Sequence, residues 1–166
     1  MSEKFSVKLF EHNNWANLRI IEVCSQLSDE QLDAEPQSAT QGSIRSTLLH
    51  LAGAQWGYLR ILTMPLEERQ ERVTVQFADL LKSLKDSGEK LLELARDESK
   101  LPTARIQTRD GYLVEPWVIM VQIINHATEH REQIKSMLSA LGITAPSIDG
   151  WDYGEAANAL VPISSE

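Results

Sequence analysis

The chain has 166 residues and a formal net charge of −8, a length that fits one domain able to bury about two-thirds of the surface its unfolded form exposes. That acidic balance, without a dense cluster of Lys and Arg, argues against nucleic acid or anionic lipid as partner. A single cysteine, Cys24, excludes an intramolecular disulfide, and the polar opening MSEKFSVKLF lacks the basic-then-apolar order of a secretory signal.

No apolar run approaches the roughly 20 residues that cross a bilayer, so a cytoplasmic protein is expected. Apolar residues spaced three or four apart, among them Phe5, Leu9, Trp15, Leu18, Ile21, Cys24 and Leu27, predict a first helix over residues 4–27. Ser28 with Gln31 fits a capping box for a short helical turn, ended by Pro36 and the polar stretch 37–42. A second long helix comes next over 43–62, broken by Met64-Pro65. Phe77, Leu80, Leu84, Leu91 and Leu94 carry a third over 75–97. Between Ala104 and Glu115, Asp110-Gly111 separates Arg105-Ile106-Gln107-Thr108 from Tyr112-Leu113-Val114 as a short hairpin would. Pro116 suits the first turn of a fourth helix that runs to Leu141, with Gly142 as its left-handed cap. Residues 143–153 read as loop and 155–160 as a short terminal helix. With no linker or repeat, the expectation is one all-α domain over 1–166, a four-helix bundle.

Histidines carry the chemistry. His126 and His130 are four residues apart and share one face of the last long helix, so both rings can approach one ion. His50 sits in Leu48-Leu49-His50-Leu51-Ala52, where a polar ring among apolar neighbours needs a partner. Thr47, Gly53, Ala54 and Gly57 on its side of the helix leave room for an ion and a ligand, or simply for close helix packing. Three neutral imidazoles would hold a divalent transition metal with one coordination position open. Imidazole suits zinc, nickel or iron, and spacing does not choose among them.

These residues resemble the DinB-like (YfiT-like) metalloenzyme family. The resemblance rests on Trp15-Ala16-Asn17, on Ser43-Ile44 through Thr47-Leu48-Leu49-His50-Leu51 with Trp56 beyond, and on His126-Ala127-Thr128-Glu129-His130-Arg131 followed by Leu141-Gly142. It implies a four-helix bundle whose metal ligands are His50, His126 and His130. It also implies a transferase or isomerase step on a small molecule that uses a low-molecular-weight thiol, and chains that pair as homodimers; a metal-bound hydroxide at the open position could instead hydrolyse a small electrophile. The competing reading is a non-enzymatic protein in which the ion is structural or the pocket captures a ligand.

The stretch from His126 to His130 also satisfies H-x-x-E-H, the inverzincin pattern with Glu as general base. Such proteases take a further carboxylate ligand far downstream, and here only a short tail comes after His130. Glu129 is the remaining candidate for a proton-carrying role, although its place one residue before His130 turns it to another side of the helix, toward solvent.

The other residues take plainer roles. His12, beside Asn13 and Asn14, reads as an exposed or capping side chain, and Cys24 as core filling. Gln55 lies off the His50 face. Trp15 and Trp56 are expected in the core with their ring nitrogens bonded, while Trp151 in Asp149-Gly150-Trp151-Asp152-Tyr153 could fold over the bundle mouth. Arg131 is expected to pair with a carboxylate and so fix the last helix.

Overall fold

The amphipathic stretches form four long helices in the computed structural model, which describes residues 4–37, 42–69 and 71–163. The first, α1 (Phe5–Cys24), stops short of the expected end. The cause lies a few residues on: Ser28 Oγ accepts from the Gln31 N–H and Gln31 Oε1 accepts from the Ser28 N–H, a reciprocal cap that starts α2 (Asp29–Asp33) afresh. The same device opens α3 (Ile44–Thr63), where Ser43 and Ser46 exchange bonds, and extended Met64 ahead of Pro65 closes it. Most of the expected polar stretch 37–42 lies outside the described residues.

The third long helix begins later than its apolar spacing predicts. Gln76 is still extended, Phe77–Asp79 form a 3-10 turn, and α4 covers Leu80–Arg96. The hairpin forms as expected, with β1 (Ile106–Gln107) antiparallel to β2 (Leu113–Val114), Ile106 opposite Val114, and Gly111 at φ +90 in the turn. Pro116 then opens α5 (Pro116–Ala140). Its end is a Schellman motif: Ile143 N–H donates to Leu138 O, Gly142 N–H to Ser139 O, and Gly142 takes φ +72.

The tail departs from expectation. Helix α6 spans Gly150–Ala156, earlier than residues 155–160, because Asp149 accepts from the N–H groups of Trp151 and Asp152 while Asp152 accepts from Asp149 N–H. Asp149-x-x-Asp152 is an acidic version of the capping box, and its carboxylates also favour the positive end of the helix.

Each long helix packs mainly on two others, α1 on α4 and α5, α3 on α4 and α5. The order around the bundle is therefore α1, α4, α3, α5, with α1 diagonal to α3. Two apolar clusters fill the interior. One gathers Ile20, Ile44, Leu48, Leu84, Ile134 and Met137, the other Phe10, Leu59, Leu62, Leu91, Ile119 and Ile123. Burial of each such side chain contributes about 1.5–3 kcal/mol. Along α1, α3 and α4 the switch from one cluster to the other falls at Asn13 and Asn17, Gln55 and Ser87, all buried. A polar layer thus divides the core.

Candidate metal centre

Because α3 and α5 are neighbours, His50 faces His126 and His130 across their seam. His126 Nε2 lies 3.2 Å from His50 Nε2 and 3.0 Å from His130 Nε2. One ring nitrogen from each of the three lies within 4.8 Å of the others. Nitrogens that share a tetrahedral ion at about 2.0–2.1 Å stand about 3.3 Å apart, which the two spacings to His126 match. His50 is exposed and the other two rings are half-buried, which leaves the group open on one side.

The electrostatics favour, for His126 and His50, the form a metal takes. Burial, and then the charges of His130 and His50, push the His126 pKa down to about 4. Burial, then His130 and Arg72, lower that of His50. Neutral imidazole is the metal-binding form. His130 is also oriented: its Nδ1 lies 2.6 Å from Gln133 Oε1. A carbonyl oxygen only accepts, so Nδ1 carries the proton and Nε2 presents its lone pair toward the other two rings.

The rotation of α5 that aims these rings is held from behind. Arg131 is buried and points to α1, where Nη1 donates to Asn13 Oδ1 (2.8 Å) and Asn17 Oδ1 (2.7 Å), while Nη2 donates to Thr128 Oγ1 (2.9 Å). The expected carboxylate partner is thus corrected to neutral amide and hydroxyl oxygens. Burial lowers the Arg131 pKa to about 10, which still leaves the group charged at neutral pH. Asn17 Nδ2 donates to Gln55 Oε1 (3.0 Å) and Gln55 Nε2 to Ser87 Oγ (2.8 Å), so one network joins all four long helices. Sequence reasoning missed this layer. The signal was available, since Asn13, Asn17, Gln55 and Ser87 each fall in helical register with apolar neighbours at three or four residues.

Two other expectations change, for His12 and Trp151. His12 is neither exposed nor a cap: its ring is half-buried, its Nε2 donates to the Ile148 carbonyl (2.9 Å), and it packs on Trp15 and Tyr153, so it holds the tail to α1. Trp151 is 76% exposed and covers nothing. Tyr153 is the aromatic of α6 that folds back, its hydroxyl donating to Glu11. Cys24 is core, with burial raising its pKa to about 12. Trp56 is half-buried and its ring nitrogen donates to Ser83 Oγ (2.8 Å); Trp15 is half-buried against the core.

Around the open side, a Cβ on Gly57 would meet nothing within 4 Å, and Tyr58 stands edge-on to His126 with ring centres 5.5 Å apart. Glu129 is exposed. No described helix is long and apolar enough to cross a membrane.

The family model for the DinB family matches residues 1–163. Protein DinB of Bacillus subtilis (strain 168) is 28% identical over 165 residues, which cover 90% of this chain and 92% of that protein. The fold is similar to two crystal structures: a DinB-family protein of Exiguobacterium sibiricum (TM-score 0.65, 20% identity, 85% of this chain and 95% of that one), and a DinB-like protein of Bacillus cereus (TM-score 0.62, 15% identity, 90% and 100%).

Proposed function

This chain belongs to the DinB family, and we propose that it holds one divalent transition metal on His50, His126 and His130 and uses it in a reaction on a small molecule. The observation that carries this reading is the meeting of three Nε2 donors from two helices at one point, with solvent on the remaining side. When bound, the metal supplies Lewis-acid polarisation at its open position, and imidazole donors suit zinc, nickel or iron for that task. The chain's own residues do the rest. Gln133 holds the His130 proton at Nδ1, and the Arg131 layer keeps α5 from rotating the donors out of line. Glycine at position 57 leaves the approach clear.

An open position beside three uncharged ligands fits two reaction classes: transfer or isomerisation with a low-molecular-weight thiol, and hydrolysis. A purely structural ion is disfavoured by the core. Apolar clusters already join α3 to α5 above and below the triad, so the helices need no ion to stay together.

The test is elemental analysis of untagged protein beside its variants. Wild type is expected to carry about one metal per chain, and His50→Ala to lose it while the metal-free melting temperature stays within a few degrees of wild type. Stoichiometric metal in a His126→Ala/His130→Ala double variant would sink the reading.

A further inference from the structure

The segment after α3 doubles back along that helix beside the triad. On one side of position 72, Arg60 Nη1 donates to the Glu71 carbonyl (3.1 Å) and Nη2 to the Glu68 carbonyl. On the other side, the Val73 carbonyl presses against Gly53 so closely that a Cβ there would stand 3.0 Å from it. Gly53 lies three residues beyond His50 and therefore shares its face of α3. Position 72 is pinned between these anchors, on the face of α3 that carries His50. An alanine at 53 would have to push the strap away, which gives the glycine a reason to be there.

Arg72 occupies that place. It is exposed, and among the described residues it forms no ion pair. Arg60 gives its bonds to backbone carbonyls, Arg69 donates to the Gln107 carbonyl, and Arg131 is held by asparagines. Glu67, Glu68 and Glu71 belong to the same segment, with side chains exposed to water, where their charge is screened.

We infer that Arg72 is a specificity-determining residue: it binds the carboxylate of a small substrate or co-substrate whose other donor atom occupies the open position beside His50, His126 and His130. The guanidinium fork matches a carboxylate in two parallel bonds, and one such group with one negative charge is what a single unpaired arginine balances. The inference rests on the metal reading above and adds the chemical class of the ligand.

Two thiols that differ chiefly in the carboxylate, 3-mercaptopropionate and 2-mercaptoethanol, test it on the cobalt(II)-substituted protein. The readout is the sulfur-to-cobalt absorption band, with affinities referred to the thiolate form. Wild type is expected to bind 3-mercaptopropionate about tenfold more tightly, as one charge-assisted pair supplies. Arg72→Gln should bring the two thiols to parity and leave 2-mercaptoethanol unchanged. Equal affinities in wild type, or a preference that survives Arg72→Gln, would overturn the assignment while cobalt content stays at one per chain. A wild-type protein that takes up no cobalt would overturn the metal reading and this inference with it.

Discussion

Two polar clusters lie on adjoining faces of α5, next to each other in sequence and opposite in design. Toward α1 and α4, Arg131 sits with Asn13, Asn17, Gln55 and Ser87, buried and bonded to one another. Toward α3, His50, His126 and His130 face one another and water, with Gln133 as the polar partner of one ring. The first cluster places a cation among neutral acceptors, so its hydrogen bonding is spent within the fold save for Asn13 Nδ2, which is buried with no partner. The second brings three ring nitrogens within 4.8 Å of one another on a side open to water, the arrangement proposed above to bind. Residues 130 and 131 mark the boundary, and the 100° turn between successive helical positions sends one outward and the other in.

The comparison breaks most easily at Arg131. Arg131→Met removes the donor from two buried amide oxygens, and we expect a loss of about 3 kcal/mol, seen as a fall of about 10 °C in melting temperature. His126→Ala should cost the metal-free protein far less. If the histidine variant proved the more damaging, the division between a structural and a binding cluster would be wrong. Gln133→Ala sharpens the other side: with the His130 tautomer no longer fixed, zinc affinity should drop about tenfold, measured by competition with a chelator, while the melting temperature of the metal-free form barely moves.

Acid gives a third contrast. In the metal-free protein His126 titrates at about 4 when folded, against roughly 6.5 in the unfolded chain, so between those values the unfolded state binds more protons. Stability should decline as pH falls through that window, by denaturant titration at several pH values, and His126→Ala should flatten the decline. Arg131, with a pKa of about 10, stays charged throughout and contributes nothing to it. The smallest effect is a silence: Cys24, its pKa raised to about 12 by burial, should resist a thiol reagent at pH 8 in the native state and react fully in denaturant. Rapid native labelling would show that the apolar cluster around Cys24 opens readily.

The helices were legible because each has an apolar stripe and chemical punctuation: Ser28 and Ser43 as caps, Pro116 at a start, Gly142 at an end. Boundaries slipped where a contact from elsewhere in the chain intervened. The strap of residues 71–76 against α3 delays α4, and the Asp149 cap advances α6. At the site, the i, i+4 spacing of His126 and His130 and the apolar setting of His50 were enough to nominate three ligands. Gln133 and Arg72 were not nominated, since neither residue type stands out and both matter only through what they lie beside. Arg131 was singled out, but its partners come from α1, more than a hundred residues earlier in the chain.

Taken alone, the order of residues determined the local structure: which stretches coil, where most of them stop, and which side of each turns from water. It also set the spacing of two donors on one helix, because the period of a helix is a property of the backbone. Only the tertiary structure decided that α3 lies beside α5 and diagonal to α1, and with that neighbourhood came the third imidazole, the amide cradle of Arg131 and the arginine at the rim. The physical reason is that periodicity specifies a face but not its mate. Four apolar stripes can be closed around a core in more than one order, and the order is chosen by all the side chains packing at once.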